Sequence, residues 1–178
     1  MILGSFVGAL VVCPGSGAAA SAASIDDLSF LVGRWAATGG GSPGQASGVS
    51  EFERALQGHA LVRRSFAEYP ATSTAPASRH DDLMVVFPGA DGALGADYYD
   101  TEGHHIHYAV GVPSPGSAVF VSDSIAGAPR FRLSYRLDPS GHLKGTFEIA
   151  PPGSPDRFGP YLSWDSVRAD STAPASKP

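Results

Sequence analysis

The chain has little cysteine and little lysine, and each shortage limits its chemistry. Cys13 is the only cysteine among 178 residues, and Lys144 and Lys177 are the only lysines. A single cysteine cannot form an intramolecular disulfide, and a chain cleaved after Ala22 or Ala23 would keep no thiol. The net charge is −5 at pH 7, and no basic stripe for nucleic acid is present. We therefore expect neither thiol chemistry nor a nucleic-acid partner.

A hydrophobic run long enough to span a membrane is missing from the first part of the chain. The apolar run from Ile2 to Cys13 is shorter than the ~20 residues that a spanning helix needs, so no membrane span is predicted. Residues 1–24 carry no charge, and small residues follow the apolar run. This is the pattern of a secretory leader, although no Lys or Arg precedes it. The sequence predicts a signal peptide or disordered leader over residues 1–23 and a secreted or periplasmic protein.

Catalytic motifs are also missing. The sequence contains no nucleophile motif, no glycine-rich phosphate loop leading into a helix, and no His-Glu-x-x-His pattern. Because a fold does not determine a function, catalysis stays open at this point. The sequence favours a binding protein over an enzyme.

Glycine and proline are plentiful, with 22 and 15 residues, and they separate about ten strand-like runs. In the run from Phe131 to Leu137, apolar and polar residues alternate strictly, as in a strand with one buried face. No helical period separates the runs, so consecutive strands should pair as antiparallel hairpins. The sequence predicts an all-β fold: an antiparallel up-and-down β-barrel of about ten strands over residues 24–168, followed by a flexible tail over 169–178.

A short N-terminal helix is predicted ahead of the first strand. Ser24 is a suitable N-cap, two acidic residues follow in the first turn, and apolar residues recur at helical spacing from Ile25 to Leu31. The segment is short and apolar on one side, so we expect it to cap one end of the barrel.

The first and last predicted strands carry residues that could pack against each other at one end of the barrel. Gly33-Arg34-Trp35 opens the first strand, and Arg168 closes the last one. A guanidinium can stack on an indole and donate to backbone carbonyls at the end of a barrel. We therefore expect Gly33, Trp35 and Arg168 to form a structural end-cap.

These residues resemble the calycin group, which comprises lipocalins, fatty-acid-binding proteins and their relatives. In that group the first strand carries Gly-x-Trp and the last strand supplies an Arg that packs over the Trp. Within the group, the segments 31–35, 50–53 and 58–62 look most like bacterial lipocalin-like domains of unknown function related to nitrobindins. The resemblance covers roughly residues 28–168.

The resemblance to nitrobindins implies a haem alternative. Nitrobindins are haem-binding ten-stranded barrels whose ligand is a His of the last strand, and here Tyr161 occupies the equivalent place. A Tyr can ligate ferric haem. In a barrel strand, however, a Tyr is far more often a wall residue with a hydrogen-bonded hydroxyl.

The main prediction is a small hydrophobic or amphipathic molecule bound non-covalently inside the barrel. Alternation allows only one of Arg63 and Arg64 to point inward, and it leans weakly towards Arg64. An inward Arg could receive a carboxylate of the ligand. The expected ligand-binding residues are Val62, Arg64, Phe66, Phe131, Tyr135, Phe147 and Tyr161.

His105 and His107 form the most suggestive metal-binding pattern. Two residues apart on a strand, they share a face and could share a zinc ion, with Asp97 or Asp100 as the third ligand. The apolar residues of this strand lie on its other face, however, which favours an orientation with both imidazoles in solvent. No cofactor is therefore predicted, and haem and zinc stay alternatives.

Two further alternatives concern the whole protein. It could be a haem-binding or metal-binding barrel, or a fully packed barrel that acts as an interaction protein without a ligand. The oligomeric state is also open between a monomer and a homodimer.

Overall fold

The strands form one closed antiparallel barrel in the computed structural model, which describes residues 23–39 and 47–169. Each strand pairs with its neighbours in sequence, and the first strand pairs with the last. The predicted all-β barrel of ten strands is thus confirmed. Apart from Ala23 and Ala169, the predicted leader and tail lie outside the described residues. The strands are β1 (Gly33–Ala37), β2 (Ser47–Ala55), β3 (Ala60–Tyr69), β4 (Ser78–Pro88), β5 (Leu94–Asp100), β6 (His105–Ser114), β7 (Ser117–Ser122), β8 (Arg130–Leu137), β9 (Leu143–Ala150) and β10 (Gly159–Arg168).

The predicted N-terminal helix is not supported, because Ile25–Leu31 forms a 3₁₀ turn instead. Its hydrogen bonds span three residues, as in the 3.1 Å bond from Val32 N to Ser29 O. Seven residues are too few to offset the cost of nucleating an α-helix, whereas short segments commonly adopt the 3₁₀ form. The segment still packs into the core of the barrel, where Leu28 and Leu31 are fully buried. A second 3₁₀ turn, Leu56–Gly58, joins β2 to β3.

The contact expected between Trp35 and Arg168 is present at this end of the barrel. The guanidinium carbon of Arg168 lies 4.4 Å from the centre of the Trp35 ring system, and its Nη1 donates to Val32 O at 2.6 Å. Trp35 Nε1 donates to Leu31 O at 2.7 Å. Gly33 has φ +122°, and a Cβ there would overlap the Arg168 guanidinium. Glycine is required at this position for both reasons.

Large side chains fill much of the barrel. The largest of those with less than 2% exposure are Trp35, Tyr108, Tyr135, Phe52, Phe120, Leu28, Leu31, Leu61, Met84, Leu143 and Val86. Gly145 makes room for one more ring, because a Cβ there would lie inside the indole of Trp164. Among residues 23–39 and 47–169, no helix has the length and apolar character that crossing a bilayer requires.

Candidate ligand site

A buried ion pair joins Arg63 of β3 to Asp82 of β4 inside the barrel. Arg63 Nη2 lies 2.5 Å from Asp82 Oδ1, and the two side chains are only 6% and 8% exposed. Arg63 Nε donates to the same oxygen at 3.1 Å. The strand register explains the orientation, since Arg63 lies opposite the buried residues Phe52 and Met84. Directly opposed residues of neighbouring strands share a face of the sheet.

Two tyrosines complete what we call the polar cluster, namely Arg63, Asp82, Tyr98 and Tyr135. Arg63 Nη1 donates to Tyr135 Oη, which reaches it from β8. The centre of the Tyr98 ring lies 5.8 Å from the guanidinium carbon. Because Tyr135 Oη accepts in its bond with Arg63, its own hydrogen remains available to another acceptor.

The polar cluster is charged at its centre and neutral around it. Burial acts to lower the pKa of Arg63, but the Asp82 carboxylate outweighs it and the pKa is raised. Burial raises the pKa of Tyr98 and Tyr135, and the negative charge of Asp82 raises both further. At neutral pH the guanidinium is therefore charged and both phenols keep their protons.

A second set of polar side chains lies nearer the end of the barrel opposite the end-cap. We call His80, Asp100 and Glu102 the rim group. His80 Nδ1 lies 2.8 Å from Glu102 Oε2, and His80 Nε2 lies 3.1 Å from Tyr98 Oη. Tyr98 Oη donates to Asp100 Oδ2 at 3.3 Å. Tyr98 therefore belongs to the polar cluster and also contacts the rim group.

The inner faces of β8 and β9 are aromatic where those of β3 to β5 are polar. Phe131 and Phe147 stack with ring centres 5.8 Å apart and an interplanar angle of 15°. Both are partly buried against the core, and Leu162 of β10 lies opposite Phe147. The interior towards this end thus has one polar and one apolar side. An open depression of about 790 Å³ at the same end is lined by residues of β1 to β4, such as Tyr69, Ser78 and Arg79, and not by Phe131 or Phe147.

The predicted site residues of β8 and β9 lie where alternation places them. Phe131, Tyr135 and Phe147 are on the inner face, with Tyr135 fully buried. The expectation for β3 is wrong: Arg64 is 62% exposed and pairs with Glu53 on the outer surface.

Val62 and Phe66 share the outer face of β3 with Arg64 and do not line the interior. An apolar residue can occupy this face because another side chain covers it: the guanidinium carbon of Arg79 lies 4.1 Å from the centre of the Phe66 ring. The contact hides the ring from water without burying it in the core. The outer face of β3 therefore carries apolar residues as well as Arg64.

The sequence of β4 contains an indication that Arg63 points into the barrel. Met84 and Val86 are the alternating buried residues of that strand, and continuing the alternation backwards places Asp82 on the same inner face. A carboxylate facing the interior requires a cation there. On β3, which pairs with β4, Arg63 shares the inner face with Leu61 and supplies that cation.

Tyr161 does not fit a buried haem ligand. It lies at a β-bulge between Pro160 and Leu162 and is 58% exposed. Its ring packs edge-on against Phe147 at 6.2 Å between centres. Leu162 is the residue of this segment that lies opposite the inward-facing Phe147, whereas more than half of Tyr161 is in contact with solvent.

His105 and His107 lie on the outer face of β6, with side chains 58% and 45% exposed. Each contacts a different carboxylate, Asp97 at 3.2 Å and Asp123 at 3.1 Å. A zinc ion shared by the pair stays a prediction. The group of three metal-ligating residues that does lie close together within the described ranges is the rim group.

Comparison with known proteins identifies no family for this chain. No protein-family model matches it, and no curated protein matches it either. The site is therefore characterised by its own geometry: a buried ion pair with two phenols on one side of the barrel interior, and stacked aromatic rings on the other.

Proposed function

We propose that the protein binds a small amphipathic molecule non-covalently inside the barrel, at the end opposite the end-cap. The buried Arg63–Asp82 pair is the observation that carries this proposal. Its desolvation is costly, and an apolar pair of similar volume often stabilises a core equally well or better. A polar group retained at such a cost is therefore a candidate for recognising a ligand.

The two sides of the interior match the two parts of an amphipathic molecule. The Tyr135 hydroxyl and the Asp82 carboxylate offer a donor and an acceptor to the polar part. Phe131 and Phe147 offer aromatic surface to the apolar part. The closed ten-strand order and the Trp35–Arg168 contact support a calycin-like container for such a ligand.

A titration with a dansyl-labelled medium-chain fatty acid tests the proposal on the purified protein. We expect saturable binding with increased fluorescence. Tyr135→Phe removes one hydroxyl and keeps the ring, and Phe131→Ala removes half of the stacked pair, so each should weaken binding by about tenfold, as the loss of one good contact does. Arg64→Ala on the outer face of the same strand as Arg63 is the matched control and should bind normally.

Absence of saturable binding would contradict the proposal and favour a packed barrel without a ligand. Equal weakening by Arg64→Ala would also contradict it, because the probe would then bind the outer surface. Native mass spectrometry of the protein as purified provides a second measurement, in which a bound small molecule appears as added mass that denaturation removes.

A further inference from the structure

The rim group consists of three side chains of metal-ligating types that lie close together. They come from two neighbouring strands and from the turn that follows the second strand. His80 is near the start of β4, Asp100 ends β5, and Glu102 lies in the turn before β6. One ligand atom from each lies within 4.8 Å of the others. Because antiparallel β4 and β5 pair Asp82 with Asp100, this arrangement follows from the register of the barrel.

The three ligand atoms lie close enough together for side-chain movements to bring them into one coordination sphere. Bonds of 2.0–2.2 Å to zinc, in tetrahedral geometry, put ligand atoms about 3.3–3.6 Å apart. His80 Nδ1 and Glu102 Oε2 are 2.8 Å apart and share a proton. Asp100 Oδ2 has the same separation from His104 Nδ1, so a second imidazole lies beside the group. Small side-chain movements would let a metal ion replace the shared protons.

Neighbouring residues orient the side chains of the rim group through hydrogen bonds, as the residues around a metal site orient its ligands. A metal-ligating His commonly bonds a carboxylate or another polar group through its second ring nitrogen. His80 Nε2 faces Tyr98 Oη at 3.1 Å and Asp82 Oδ2 at 3.7 Å. Asp100 is only 4% exposed, and its Oδ1 accepts from the backbone N–H of Glu102 at 3.1 Å and of His104 at 2.9 Å.

We propose that His80, Asp100 and Glu102 form a binding site for a divalent transition-metal ion of the zinc type, with His104 beside it. An imidazole together with two carboxylates suits zinc, whereas calcium takes six to eight oxygen ligands and magnesium demands octahedral oxygen geometry. Two carboxylates close together also gain from a bound cation. Its three metal ligands are not residues of the proposed ligand site, although Tyr98 and Asp82 of that site contact His80, and the metal proposal does not depend on the ligand proposal.

Calorimetric titration of the chelator-treated full chain with zinc chloride tests the site. We expect one equivalent of zinc to bind. Glu102→Gln replaces a charged carboxylate ligand with a weaker neutral amide, and His80→Ala removes the imidazole. Each should weaken binding by at least about tenfold. Glu102 is 49% exposed, so Glu102→Gln should fold normally, and circular dichroism checks this. His105→Ala and His107→Ala are the matched controls, because these outer-face histidines should leave the affinity unchanged.

Three outcomes would overturn the proposal. The first is no saturable heat with zinc, and the second is unchanged zinc affinity in the folded Glu102→Gln variant. The third is loss of binding in His105→Ala or His107→Ala, which would assign zinc to the outer face of β6. Calcium or magnesium binding as tightly as zinc would likewise contradict a transition-metal site. Repeating the dansyl-probe titration separates the two proposals: Glu102→Gln should still bind the probe, and Tyr135→Phe should still bind zinc.

Discussion

Asp82 is the residue on which the buried positive charge of Arg63 depends. Asp82→Asn keeps the shape of the side chain and removes its charge, leaving the guanidinium buried without a counter-ion. Breaking a buried pair in this way costs about 3–5 kcal/mol, and we expect the free energy of unfolding to fall by that amount. Urea denaturation followed by circular dichroism measures it.

The ion pair between Arg64 of β3 and Glu53 of β2 lies on the outer surface and serves as a control for the inner pair. Its side chains are 62% and 54% exposed, so Glu53→Gln should cost less than about 1 kcal/mol. Equal losses for Asp82→Asn and Glu53→Gln would show that burial does not govern the strength of the inner pair.

Gly145 is a second residue whose identity the packing dictates. A Cβ at this position would overlap the Trp164 ring, so Gly145→Ala should lower the free energy of unfolding by about 1–3 kcal/mol through overpacking. Gly111→Ala provides the comparison, because Gly111 also lies in a strand but a Cβ there would have nothing within 4 Å. A larger loss at Gly111 than at Gly145 would contradict this account.

Among the elements, the end-cap depends on Trp35. Trp35→Ala removes the ring that stacks on Arg168 and bonds Leu31, so it should lower the free energy of unfolding by roughly 3–5 kcal/mol. The ligand site is at the other end of the barrel, and variant molecules that fold should bind the dansyl probe with unchanged affinity. Lost probe binding with an unchanged melting temperature would show that Trp35 belongs to the ligand site.

The turn between β8 and β9 depends on pH through Asp138. Its Oδ1 accepts from Ser140 Oγ at 2.6 Å, Ser140 N at 2.9 Å and His142 N at 3.0 Å. These bonds, led by that of the Ser140 hydroxyl, lower the pKa of Asp138 to about 2 from 3.8. A lowered folded-state pKa means that the carboxylate stabilises the fold above its unfolded value of about 4, and that this is lost as the pH falls towards the folded value.

Ser140→Ala should raise the pKa of Asp138 towards its ordinary value and move the acid-side loss of stability to higher pH. An acid titration of the side-chain carboxyl carbon by NMR measures the pKa directly. Ser140→Thr keeps the hydroxyl and should leave the pKa low. An unchanged pKa in Ser140→Ala would mean that the backbone N–H donors and the nearby Lys144 ammonium keep the pKa low without the hydroxyl.

At the scale of the whole molecule, the sequence is sufficient to predict the barrel, but it predicts only part of the set of residues that face the interior. Turn residues and strict alternation in β8 identify both the strands and their inner residues, such as Phe131 and Tyr135. In β3 alternation identifies the two faces but not which of them is inside. That choice depends on cross-strand partners, because Asp82 requires Arg63 inside while Arg79 covers Phe66 outside. Contacts between strands distant in sequence are not visible in the pattern of any one strand.

The pairing of β1 with β10 has a consequence for the time course of folding. Contacts such as Trp35 with Arg168 join the two ends of the barrel sequence, so their loop-closure entropy is large and they should form late. We expect a chain ending before Gly159, which lacks β10, to aggregate and to lose its cooperative thermal transition. Proteolytic nicking of the exposed 70–77 connection removes no strand, and the nicked protein should keep that transition.

A truncated chain that stayed monomeric and melted cooperatively would show that closure is dispensable. With the full chain, β1 and β9 each keep one unpaired edge until β10 joins them, and an unpaired edge can pair with another molecule. The rate at which the last strand pairs with the first therefore sets how long each new molecule is exposed to aggregation.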